Sequence, residues 1–193
     1  MSIQTNRLKQ ITGPVKTAVQ HPYILLLLLF YAVAGIAAGV SAAGTVQPQG
    51  NTGGLSAFFT ALPSQTYHVF PAIVHSIAIN LLLYCLACLP RLWPPLVAIG
   101  GLSVAFKGFC MGSSLSCLFG EMGLRGLALG APLSILPAFF CMAALAFRIL
   151  ADIRARSGLP EEGLSLRSWG LLAFCILLES AAAPVALRAW LVK

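Results

Sequence analysis

Apolar residues do not alternate with polar ones along this chain. They come in blocks. Five runs are each about as long as the roughly 20 residues a helix needs to cross the hydrocarbon core of a bilayer. They cover Tyr23 to Ala43, Phe70 to Leu89, Leu96 to Phe119, Leu127 to Leu150 and Trp169 to Trp190. Only Gly120 to Gly126 separates the third run from the fourth, which predicts an antiparallel hairpin. The pattern predicts an all-α, polytopic bundle of five membrane-spanning helices. It leaves an outer loop at 44–69 and a cytoplasmic loop at 151–168. Within the outer loop, Leu55 to Leu62 is apolar but about a third of a span long, so a short interfacial helix is expected there. The first run resembles a signal peptide in following Lys16 and ending on Ser41-Ala42-Ala43. Its apolar core exceeds the usual 7–15 or so residues of such a peptide, so it is read as an uncleaved helix.

Composition strengthens the reading. Of 193 residues, 59% are hydrophobic and 9% charged, too little polar surface to cover a water-soluble globule. The net charge of +7 comes from residues scattered at the ends of apolar runs, not from a basic patch. Lipid contact and topology signalling explain it better than nucleic acid does. Arg7, Lys9, Lys16, Arg91, Arg148, Arg154, Arg156 and Arg167 fall on one side of the membrane if the N-terminus is cytoplasmic, against Arg125, Arg188 and Lys193 on the other. The positive-inside rule then predicts a cytoplasmic N-terminus and an outer C-terminus.

Three polar residues stand near mid-span: Asn80 in the second run, Lys107 in the third and Glu179 in the fifth. A charge at that depth costs roughly 2.5–3.5 kcal/mol on insertion scales. Lys107 and Glu179 are therefore expected to meet inside the bundle beside Asn80, as a packing lock or as an ion or proton path. Small residues recur at four-residue spacing in Gly35 and Gly39, in Gly108, Gly112 and Ser116, and in Gly126 and Gly130. Such stripes let helices approach closely, within the fold or in a homo-oligomer. Pro132 and Pro137 in the fourth run and Pro184 in the fifth predict kinks.

Reaction chemistry is not apparent. Phosphate-binding loops, HExxH, GxSxG and paired carboxylates are missing from the sequence. Cys85, Cys88, Cys110, Cys117, Cys141 and Cys175 all lie in apolar runs and read as inert thiols, and His75 has no second ligand one turn away. No metal, cofactor or catalytic residue is expected.

The third and fourth runs read Ala105-Phe106-Lys107-Gly108-Phe109, then Gly112, Gly123-Leu124-Arg125-Gly126-Leu127 and Leu136-Pro137. With Asn80, and with Glu179 followed five residues on by Pro184, this resembles the stage II sporulation protein M family, from about the second run onward. The resemblance implies a five-helix, non-catalytic membrane scaffold that recruits two peptidoglycan-degrading partners, stage II sporulation proteins D and P, to the septal membrane during engulfment. The alternative from the residues themselves is a permease-like subunit with a water-filled cavity reaching Lys107 and Glu179.

Overall fold

A computed structural model of the chain describes residues 22–46, 69–130, 134–156, 158 and 162–182. Every regular element among them is helical. In lipid no water satisfies a free backbone N–H or C=O, so an apolar run must close its hydrogen bonds within itself. The chain does this in α1 (Pro22–Val46), α2 (Val69–Ala87), α3 (Val97–Met122), a short α4 (Leu124–Gly130), α5 (Leu136–Arg156) and α6 (Glu162–Leu177). Residues Leu178–Ala182 continue α6 as one wider π turn. Five helices are long and apolar enough to cross a membrane: Tyr23–Gly44, Ile73–Arg91, Val97–Gly120, Leu136–Arg156 and Gly163–Ser180. The all-α bundle expected from the pattern is the fold observed. The outer segment with its expected interfacial helix lies outside the described residues, as do Pro132, Pro184 and the basic N-terminal residues.

The fourth run folds differently from the pattern. The spacing predicts one helix from 127 to 150, kinked at Pro132 and Pro137. Instead α4 ends at Gly130 and α5 starts at Leu136. A π turn at Ser134–Ile135 leads into α5, so Pro137 lies close behind a widened turn, near the start of the long helix. The spanning helix is displaced toward the C-terminus and carries Arg148, Asp152, Arg154 and Arg156 inside it. The loop expected at 151–168 shrinks accordingly, because α6 already begins at Glu162, earlier than the Trp169 start expected of the fifth span.

The turns follow from backbone chemistry. Between α2 and α3 the chain makes two tight 3-10 turns, Leu89–Arg91 and Pro94–Leu96. Prolines at 90, 94 and 95 prevent a continuous helix there. Gly123 ends α3 with φ +59°, a conformation that only glycine adopts without strain, and its N–H caps the Phe119 carbonyl at 2.8 Å.

Packing proceeds along two seams. In the first, α1 lies along α3 for most of its length. Gly35 and Gly39 face α3, and Gly108 and Gly112 face α1. A Cβ on Gly35 would strike the Ala105 carbonyl, and one on Gly112 the Ile36 carbonyl. A Cβ on Gly108 would lie 2.7 Å from the Ala32 oxygen, and one on Gly39 2.9 Å from the Ser113 nitrogen. The two backbones touch, and only hydrogen fits between them. Gly130 of α4 seats against Leu115 of α3, where a Cβ would come within 2.6 Å, and Gly126 beside it is buried. The second seam joins α5 to α6 and to α2 around Leu145, Ile149, Leu172 and Cys175, all 2% exposed or less. Phe30, Leu26, Leu82, Phe139 and Leu177 point outward, each at least 60% exposed. On a soluble protein so much exposed apolar surface would drive aggregation; in a bilayer it is the face toward lipid.

Candidate functional site

Between the two seams, four elements converge on a polar cluster. Ser76 and Asn80 lie one turn apart on α2, so their side chains share a face. Lys107 comes from the middle of α3, Cys141 from α5, and Glu179 from the π turn that extends α6. A π turn widens the helix and re-aims the residues within it, and such turns recur at functional positions.

The hydrogen bonds close on one another. Lys107 Nζ forms an ion pair with Glu179 Oε1 and donates to Asn80 Oδ1 at 3.0 Å. Asn80 Nδ2 donates to Glu179 Oε2 at 2.6 Å and to the Ser76 carbonyl at 2.9 Å. The Ser76 hydroxyl donates to the same carboxylate oxygen at 2.8 Å. The Cys141 thiol donates to Asn80 Oδ1 at 3.3 Å. Asn80 is fully buried and Lys107 is 8% exposed. The two charges cancel, and each carboxylate oxygen has a donor. That compensation is what makes an ion pair tolerable away from water.

The structure therefore brings together all three residues singled out at mid-span, with the ion pair expected. Two more members, Ser76 and Cys141, were not singled out. Ser76 was detectable in principle, since it stands four residues before Asn80 on a helix. Cys141 was not, because nothing in the sequence says which face of α5 meets α2. Of the small residues, Gly35 and Gly39 of α1 seat against Ala105 and Phe109 of α3, Gly108 and Gly112 of α3 seat against Ala32 and Ile36 of α1, and Gly126 and Gly130 lie in α4. Ser116 is half-buried on α3.

A second polar cluster was missed entirely. Arg148 donates to Asp152 Oδ1 at 2.6 Å, one turn along α5, and to Ser165 Oγ of α6 at 3.2 Å. Asp152 is fully buried. The Tyr84 ring lies 5.9 Å beneath the Arg148 guanidinium and stacks on Trp169 at 4.5 Å between centroids. Ser168 donates to the Ala144 carbonyl at 2.9 Å and shares a 3.0 Å hydrogen bond with the Tyr84 hydroxyl. The signal was an Arg and an Asp at i, i+4 at the end of an apolar run. Such a pair is nearly neutral and can enter a helix end that a lone charge would avoid.

Beside α3, on the face away from Glu179, lies a groove of about 730 Å³ between α1, α2 and α3. Its walls are apolar, and neither Lys107 nor Glu179 lines it. Among the described residues no three His, Cys, Asp or Glu side chains converge.

What these features define is a multi-pass helical membrane protein whose helices are locked by a buried Lys–Glu–Asn cluster and by glycine contacts. No family model, curated protein or solved structure matches the chain.

Proposed function

We propose that this chain is a non-catalytic integral membrane scaffold that positions peptidoglycan-degrading partners outside the membrane, in the manner of the stage II sporulation protein M family. The observation that carries the reading is the closure of the polar cluster. Lys107, Glu179, Asn80 and Ser76 use their hydrogen-bonding capacity on one another and hold α2, α3 and the end of α6 together. A transport path needs polar groups that face water and exchange partners. The groove found in the bundle is apolar and lies elsewhere. The residues that carry the family resemblance, Asn80, Lys107 and Glu179, are also those that lock the helices, which suits a non-catalytic scaffold. On this reading the N-terminus is cytoplasmic, the C-terminus and the 44–69 loop are outside, and that loop receives the partner.

Two measurements test it. Extraction in a mild detergent should retain a cell-wall hydrolase on the intact chain and lose it when residues 47–68 are replaced by a Gly/Ser linker. Recovery of no wall-degrading enzyme refutes the scaffold. In liposomes the chain should pass no ions or protons. A flux abolished by Lys107→Met would establish the permease reading instead.

A further inference from the structure

The groove between α1, α2 and α3 has a depth and an end that identify an occupant. Its walls include Tyr31 and Ala38 of α1, Leu82 and Leu86 of α2, and Ile99 and Phe109 of α3. At about 1.5 Å of rise per residue, Ile99 to Phe109 spans roughly 15 Å, half of a hydrocarbon core about 30 Å thick. The groove is one leaflet deep. Its volume of about 730 Å³ lies within the roughly 300–1,000 Å³ of small-molecule sites.

One end of the groove is basic. Leu86 and Ile99 stand on either side of the 88–96 connection, which carries exposed Arg91. Exposed Arg156, in the last turn of α5, reaches the same connection and donates to the Leu92 carbonyl at 3.2 Å. Pro90 packs against α3 beside Gly100 and Ile149 of α5, which holds the connection onto the end of the bundle. Arg91 and Arg156 thus lie at the end of the bundle where the apolar groove, about one acyl chain long, reaches headgroup level. Basic pockets between helices on the cytoplasmic side are where anionic lipid headgroups bind.

We propose that the chain holds one anionic phospholipid from the leaflet facing the 88–96 connection, with an acyl chain in the groove and the headgroup phosphate at Arg91 and Arg156. On the positive-inside count this is the cytoplasmic leaflet, the anionic one. The inference does not depend on the scaffold reading.

The experiment is a native mass spectrometric titration of the detergent-purified full chain with phosphatidylglycerol and phosphatidylcholine of identical acyl composition. Two arginines near the surface should favour phosphatidylglycerol by roughly 25-fold at low salt. Arg91→Gln with Arg156→Gln should bring the two lipids to near parity while the chain still melts cooperatively in phosphatidylcholine. Ala38→Phe, which fills the groove, should release both lipids; if that variant does not fold, Ala34→Leu on the same wall is read in its place. Equal retention of the two lipids by the wild type overturns the proposal. So does a preference that survives loss of both arginines, or complete displacement of phosphatidylglycerol by soluble glycerol phosphate, which would leave the groove no part.

Discussion

Replacing Lys107 with Met removes the only cation paired with Glu179 in the cluster and leaves the shape of the side chain nearly intact. The Glu179 carboxylate keeps Asn80 and Ser76 as donors but loses its countercharge, in a side chain 23% exposed. Removing one partner of a buried ion pair costs roughly 3–5 kcal/mol. A ceiling exists, because a carboxyl can take up a proton instead. At pH 7 that costs about 1.4 kcal/mol for each unit above an ordinary glutamate value near 4.3, so about 4 kcal/mol. The loss should therefore fall at about 3–4 kcal/mol, or on the order of 10 °C in the unfolding midpoint. The double variant Lys107→Met with Glu179→Gln removes both charges and keeps a hydrogen-bonding group for Asn80. It should recover at least half of the loss, giving a coupling of roughly 1–3 kcal/mol in a double-mutant cycle. Steric-trap unfolding in bicelles, or thermal denaturation in one fixed detergent, measures all four corners of the cycle. Additive effects, or a Lys107→Met variant as stable as wild type, would refute the claim that the pair locks the bundle.

Other expectations follow from the same contacts. Gly35→Ala should destabilise the α1–α3 seam by roughly 1–3 kcal/mol, since its Cβ meets backbone that cannot yield, whereas Gly44→Ala, with open space around it, should be neutral or up to about 1 kcal/mol stabilising; melting midpoints that move together would contradict this. Arg148→Met removes one charge partner of the fully buried Asp152 and should cost about 3–5 kcal/mol, with Arg148→Met plus Asp152→Asn costing clearly less, a comparison readable by chemical denaturation. Tyr84→Phe gives up only its bond to Ser168, which still donates to the Ala144 carbonyl, so a loss of about 0.5–1.5 kcal/mol is expected; a drop in midpoint as large as that of Lys107→Met would contradict it.

Some of this architecture is written in local chemistry. A run of apolar residues long enough to cross the bilayer has one stable conformation in lipid, so the number and type of the spanning helices could be read from Tyr23 to Leu177 without a structure. The mid-span placement of Asn80, Lys107 and Glu179 could be read too, and the cost of a lone charge there nearly forces the three together. What the sequence left open is which helix lies beside which, and where a helix starts when two starts are available. Glycines at four-residue spacing announce a close approach without naming the partner, and only the packing of α1 on α3 shows that Gly35 and Gly39 meet the α3 backbone at Ala105 and Phe109. Pro137 announces a disturbance without saying where the long helix begins, and the structure places it just behind a π turn at Ser134–Ile135. The helix then runs on to Arg156 and carries Arg148 and Asp152 in the bundle, where their mutual neutralisation makes burial tolerable. Local sequence sets the conformation of each segment because the backbone must satisfy itself; contacts between segments depend on shape across the whole chain, and no short stretch encodes them.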